Sequence, residues 1–244
     1  IMSLKSLTFL LIVAFTFQLT ATGTDFYVKY SGKNNNYNTV TEAVKACANI
    51  NPSSESQRIT IHIAPGTYRE QIVVQTPYVT FINDEPSKGE VILTWYYGIG
   101  YKYFSVGSDG RYNAGNAKAK SAKAEPVQRW GGTVQLLNKA TYFKAVNIVF
   151  ENSFNRYITD EEIADGVTPS GTQQITFQRV KGADVRSKPA TERGAAITID
   201  ADRAEFVSCK FYGSQDTLYT GGKVGYFKNC KIEGNTDYIF GSGD

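Results

Sequence analysis

Phe206-Val-Ser-Cys209-Lys210-Phe-Tyr-Gly213-Ser-Gln215-Asp216-Thr-Leu218-Tyr219 is followed by Phe227-Lys-Asn-Cys230-Lys231-Ile-Glu-Gly234-Asn-Thr-Asp237-Tyr238-Ile239-Phe240. Matched residues stand 21 positions apart, from Phe206 and Phe227 through Cys209 and Cys230 to Asp216 and Asp237. A fixed offset of this size marks stacked repeats. The unit is too short for a helical hairpin, and it is rich in Phe, Tyr, Ile, Val and Cys with Gly at its corners. That composition predicts one coil of a parallel β-helix. Successive coils then lie about 4.8 Å apart and equivalent residues form ladders. Asp216 and Asp237 become vertical neighbours. Two carboxylates that close cannot both ionise cheaply, so one keeps a proton beside the other, an acid next to a nucleophile.

Outward from the repeat, the chain has 244 residues, 41% of them hydrophobic, enough for one sizeable core with no demand for a second domain. The formal charge of +3 comes from scattered basic residues, which argues against a nucleic-acid binder yet tolerates an anionic polymer. Lys5, the apolar run 7–19 and the small residues Ala21-Thr22-Gly23 read as a secretory signal over residues 1–23. Residues 24–244 are then one β-helix domain. No stretch approaches the roughly 20 apolar residues of a membrane span, so a soluble, secreted, monomeric product is expected with no membrane partner. Ile1 stands before Met2, and Asp244 follows directly on a repeat. An uncovered coil exposes strand edges, so the domain is expected to be truncated at its C-terminus. Of the three cysteines, Cys209 and Cys230 fall on one ladder, where a bridge between coils and buried free thiols are both open. Cys47 is expected to fill space under a helix.

Taken in order, Asp25-Phe-Tyr-Val28 predicts a strand. A short helix with Thr41 as its N-cap and Ala43, Val44 and Cys47 at helical spacing is expected to cap the open N-terminal end. Ile59-Thr-Ile-His62-Ile63 predicts a strand entering the first coil, with His62, the sole histidine, as a strand residue. Gly66-Thr-Tyr68-Arg69-Glu70 reads as a turn, a packed Tyr and an ion pair. Residues 98–125 break the strand rhythm and predict a long excursion, a solvated loop whose Lys118, Lys120 and Lys123 could meet an acidic polymer. Phe143-Lys-Ala-Val-Asn-Ile-Val-Phe150-Glu-Asn152 returns to the coil, its Asn152 satisfying backbone groups at a corner. An acidic excursion over 160–171 precedes a strand at Ile175-Thr-Phe177.

Gln215-Asp216-Thr217-Leu218-Tyr219 and Asp237-Tyr238-Ile239-Phe240-Gly241, at this mutual spacing, resemble the paired signatures of the pectin methylesterases. Gly66-Thr-Tyr68-Arg-Glu70 and the strand ending at Phe150-Glu-Asn152 are similar to further elements of that family. The resemblance implies an all-β fold, a right-handed single-stranded parallel β-helix with a short N-terminal capping helix. It also implies hydrolysis of the methyl esters of galacturonate residues in pectin, methyl-esterified homogalacturonan, with release of methanol. Carried onto matching positions, Asp237 is the nucleophile, Asp216 the acid and then base, and Gln215 the oxyanion donor. No metal or cofactor is called for.

The sequence departs from the family in three places. Arg193 stands where the family has a substrate-binding Gln. A cation there lowers the pKa of the acid or, alternatively, faces the charged sugars or pairs with Glu192. Ser214 replaces an aromatic residue that usually precedes the first signature. The family's downstream Arg and Trp would lie beyond Asp244. Thr133, Tyr219 and Tyr238 are further substrate-binding candidates, and Trp95 and Trp130 are candidate sugar platforms, although aromatic residues in a β-helix more often belong to the core. Competing readings are a Ca²⁺-dependent lyase-type enzyme on the same fold and a non-catalytic pectin-binding homologue.

Overall fold

Apolar residues at alternate strand positions drive the coil: Ile59, Ile61 and Ile63 point inward between Thr60 and His62, and the strand pattern repeats down the chain. The computed structural model describes residues 23–120, 123–154, 156–166, 168–169, 179–186, 193–221 and 223–244. Residues 1–22 of the expected signal, the expected strand at 175–177 and Glu192 lie outside the described residues.

The chain winds as a right-handed parallel β-helix of three strands per turn. One sheet stacks Asn36–Tyr37, Thr24–Val28, Ile59–Ile63, Val79–Ile82, Lys144–Val146, Ala204–Val207 and Gly225–Lys228. A second stacks Gly66–Arg69, Val91–Trp95, Ile148–Asn152, Lys210–Tyr212 and Lys231–Glu233. The third stacks Ile72–Val74, Val134–Leu136, Ile197–Ile199, Leu218–Thr220 and Ile239–Gly241. Phe206 pairs with Phe227, Lys210 with Lys231 and Leu218 with Ile239, the register that the 21-residue offset predicts.

Ladders of like residues fill the interior. The Phe206 and Phe227 rings stack at 4.9 Å, and those of Phe150 and Phe211 at 5.2 Å. Cys209 and Cys230 are free thiols on one ladder. Their mutual hydrogen bond, with burial, pushes Cys209 up, and the same bond pulls Cys230 down to about 7.

The corners turn on residues other than their glycines. Gly213 and Gly234 do not supply the left-handed backbone. Asn147, Ser208 and Asn229 turn the first strand into the second, and Tyr78, Tyr142 and Arg203 turn the third into the next coil, all at positive φ. Tyr78 and Tyr142 stack at 4.8 Å, with the Arg203 guanidinium over Tyr142, so these corners form a ladder of their own. Gly213 is required for closeness: a Cβ there would stand 2.5 Å from the Thr217 hydroxyl. Asn147 also splits the stretch 143–152 into two strands.

The helix Val40–Cys47 buries Val40, Ala43, Val44 and Cys47 against the first coil. It begins two residues earlier than the sequence suggests, because Thr39 and Glu42 close a reciprocal capping box. The ion pair of this element is made by Arg69, with Glu161 at 3.4 Å, and among the described residues Glu70 has none. Its carboxylate accepts from the N–H groups of Val40 (3.1 Å) and Thr41 (2.8 Å), an anion at a helix N-terminus. His62 lies on its strand, stacked on Tyr27 and hydrogen-bonded by Asp84.

The two excursions fold together. Tyr101–Tyr103 pairs antiparallel with Glu125–Pro126 and Thr168–Pro169. Trp95, Tyr96, Tyr97, Tyr101, Tyr103 and Phe154 bury one another in a second core, so residues 98–125 are more than a solvated loop. The helix Asp160–Asp165 from the second excursion is tied to the first through Asp165, which accepts from Ser105 N–H (2.7 Å) and Tyr96 O–H (2.9 Å). Among the described residues no helix is long and apolar enough to cross a membrane.

Phe206, fully buried in the ladder, sets the expected stability response. Phe206→Ala lowers the unfolding free energy of the protein by about 3–5 kcal/mol. Ile50→Ala, at a residue 41% exposed, changes it by less than about 0.5 kcal/mol. Urea unfolding measures both, and equal midpoint shifts would contradict a core built on this ladder.

Candidate functional site

The second strand of each coil turns into the third through a corner that the sequence uses for everything unusual. Both excursions leave here, after Val91–Trp95 and after Ile148–Asn152, and both return to the third sheet. In the last two coils the same corner is short and carries Asp216 and Asp237, both left-handed at φ 63° and 46°. Asp is among the few residues that tolerate this conformation, because its short polar side chain bonds locally. The corner therefore presents two carboxylates at the same place on successive coils.

Backbone bonds hold them in step. Asp216 N–H donates to Thr236 C=O (3.1 Å), Leu218 N–H to Tyr238 C=O (2.9 Å) and Ala196 N–H to Thr217 C=O (2.8 Å). Thr217 is buried and its hydroxyl donates to Glu233 C=O at 3.0 Å, pinning the corner from below.

The two carboxylates differ in environment. Asp216 is only 5% exposed, whereas Asp237 is exposed. Burial pushes Asp216 up to about 6, the Arg193 charge pulls it back, the Asp237 charge pushes it further up, and a hydrogen bond from the Gln215 side chain lowers it. One carboxyl is thus biased towards holding a proton, next to another open to solvent. Pairs pushed apart in this way are suited to divide acid and nucleophile roles. Gln215 lies on the ladder between Arg193 and Thr236, its carbonyl accepting from Gly194 N–H at 3.3 Å. Among the described residues no group of three His, Cys, Asp or Glu side chains converges to hold a cation.

Of the remaining sequence candidates, Arg193 is half-buried within electrostatic reach of Asp216. Tyr219 is half-buried under Trp130, ring centroids 4.1 Å apart, with Phe240 one coil further. Tyr238, 41% exposed, lines a groove of about 550 Å³ with Arg186, Ser214, Glu233 and Asn235. Thr133 is placed elsewhere: it is fully buried and its hydroxyl donates to Glu151 C=O at 2.7 Å, a backbone tie rather than a contact surface. Trp95 belongs to the second core. The reading of Asn152 agrees with the structure, its amide donating to the carbonyls of Tyr97, Gly131 and Ala195 and so binding both excursions to the coil. Arg186 was missed. It stands in the second excursion, where no repeat places residues, and only its charge could have marked it.

A family model described as Pectinesterase matches residues 165–244. The chain is 29% identical over 201 residues, 82% of its length, to pectinesterase QRT1 of Arabidopsis thaliana, and covers 40% of that protein. It thus spans less than half the length of this relative. Among solved structures, pectin methylesterase PemA from Erwinia chrysanthemi superposes with a TM-score of 0.58 at 19% identity, over 91% of this chain and 52% of that one. The pectin methylesterase from carrot gives 0.55 at 22% identity, over 90% and 49%.

The charge arrangement fixes how Asp216 titrates. Carboxyl ¹³C NMR is expected to show a midpoint of about 6. Asp237→Asn removes a charge that raises it, so the midpoint falls; Arg193→Gln removes a charge that lowers it, so the midpoint rises. Opposite shifts would overturn the arrangement.

Proposed function

We propose, from the pectinesterase family that sequence and fold both support, that the full-length protein hydrolyses the methyl esters of galacturonate residues in pectin. The observation that carries the reading is the stacked pair of unlike carboxylates, one buried and raised to about 6, one exposed, beside an amide donor. Asp237 attacks the ester carbonyl carbon. The Gln215 amide donates to the oxyanion that develops, where a preorganised donor contributes most. Asp216 passes its proton to the departing methoxide, which leaves as methanol, while the acyl group stays on Asp237 as an anhydride. Asp216, now a carboxylate, takes a proton from water as that water attacks the anhydride carbonyl. The galacturonate carboxylate is released, Asp237 is a free carboxylate, Asp216 is protonated again and the second proton of the water passes to solvent.

Tyr219 and Tyr238 flank the pair and are assigned to the sugar chain, with Arg193 on the coil above. Pectin is the proposed polymer partner. One similar solved structure is a pectin methylesterase in complex with a hexasaccharide, which accords with a polymer of that kind. Residues 1–23 are proposed to direct export, and the domain to act as a monomer.

In the full-length protein Asp237→Ala and Asp216→Ala each lower methanol release by about 10³-fold or more with the fold retained. Asp216→Asn keeps the shape but has no proton to give, so acylation slows without loss of binding. Turnover at the wild-type rate in either Ala variant overturns the mechanism. Loss of activity on adding a chelator, with an unsaturated sugar product, would mark a lyase instead. Pectin binding with no methanol release from the wild type would mark a binding protein.

A further inference from the structure

The three cysteines are not equivalent. Cys47, the last residue of the capping helix, is fully buried, its thiol donates to Ala43 C=O at 3.3 Å, and burial pushes it up to about 12, which makes it inert. Cys209 and Cys230 are placed differently. Each precedes its carboxylate, Asp216 or Asp237, by seven residues, and they stand one rung apart at the corner between the first and second sheets. Backbone bonds close on either side of them: Ser208 N–H donates to Lys228 C=O (2.9 Å) and Lys231 N–H to Cys209 C=O (3.0 Å). Strands in this register put equivalent Cα atoms about 4.8 Å apart, inside the range of roughly 4.4–6.8 Å from which a disulfide closes without moving the backbone.

Neither thiol has a stronger partner to give up. Cys209 faces the carbonyls of Ala145 and Val207 at 3.4 and 3.5 Å, and Cys230 those of Phe206 and Lys228 at 3.5 Å, long contacts of a weak donor. Their unlike settings assign an order of events. Cys230 is half-buried and Cys209 fully buried. The hydrogen bond between them favours the thiolate on Cys230, the nucleophile of thiol–disulfide exchange, and keeps Cys209 protonated.

We propose that this pair is an oxidation site, which a low-molecular-weight disulfide converts into a reversible bridge between the two coils that carry Asp216 and Asp237. The Cys230 thiolate attacks the reagent, forming a mixed disulfide and releasing one thiolate. Cys230 then accepts no hydrogen bond as an anion, so the contact that holds the proton on Cys209 is gone. Cys209 attacks the Cys230 sulfur, and its proton passes to the second departing thiolate. Two protein thiols become one disulfide and the reagent disulfide becomes two thiols, so two electrons pass and no other oxidant is required. The bridge joins residues 21 apart, which removes conformations from the unfolded chain. It also ties the coil of Asp237 to that of Asp216 one strand before the carboxylates, whose spacing depends on these coils staying stacked.

The test is a redox titration of the full-length protein in mixtures of reduced and oxidised glutathione, followed by tryptic digestion without reduction and mass spectrometry. Residues 204–210 and 229–231 are separate tryptic peptides, each with one cysteine. As the buffer becomes oxidising they are expected as one species two hydrogens lighter than their sum, which dithiothreitol splits, while Cys47 stays unmodified. Cys209→Ala leaves Cys230 as its glutathione adduct, and Cys230→Ala leaves Cys209 untouched. Oxidation raises the thermal midpoint of the wild type by about 5 °C, and neither variant responds. The proposal is overturned if oxidised glutathione yields no joined peptide, if Cys230 bonds to a cysteine other than Cys209, or if the wild-type midpoint is the same in both buffers. Methanol release plays no part in these measurements, so failure of the esterase reading would leave them intact.

Discussion

A three-stranded coil closes only if the chain can turn sharply at each corner and do so in register with the coils above and below. The left-handed backbone at Asp216 and Asp237 meets that requirement between the second and third strands, and it fixes the positions of both carboxylates. The same geometry that lets the polypeptide turn also crowds two acids at one strand spacing. Burial of one and exposure of the other then separates them chemically. Asn, Ser, Tyr and Arg perform the turn at the other corners, where no acid pair arises.

The corner is also where the helix accepts insertions. A loop that leaves after a second-sheet strand and returns to the third sheet leaves every ladder paired, as the continuous registers across both excursions show. The inserted chain must then rise beside the acids rather than on another face. Its own core of Trp95, four tyrosines and Phe154 makes that wall self-supporting, and the three carbonyls gathered by Asn152 anchor it to the coil. Wall and floor of the site are therefore set by one local rule of connectivity.

How much of this could be read from the sequence follows from what repeats. The 21-residue offset gave the ladders, the core Phe pairs and the acid pair, because register is a property of spacing alone. Spacing placed glycines at the corners but could not show their role: Gly213 is demanded by the nearness of Thr217, and the turn falls to Asp216. The role of Glu70 was not legible because its partners are backbone N–H groups of a helix 30 residues earlier, which carry no sequence identity. Thr133 was proposed for the substrate by resemblance alone, and resemblance does not show that its side chain is fully buried and hydrogen-bonded to the Glu151 carbonyl. Nothing in the spacing of either excursion could show that they share a core.

The excursions also divide the chain in time. In the last two coils paired residues are 21 apart, as Phe206 and Phe227 are, whereas across either insertion they are about 60 apart, as Phe150 and Phe211 are. Closing the longer loops costs about 1 kcal/mol more conformational entropy per coil when the ends first meet. Contacts near in sequence form sooner. The coils that hold the two carboxylates are thus placed to assemble early, as a template on which the interrupted coils and their aromatic wall dock afterwards.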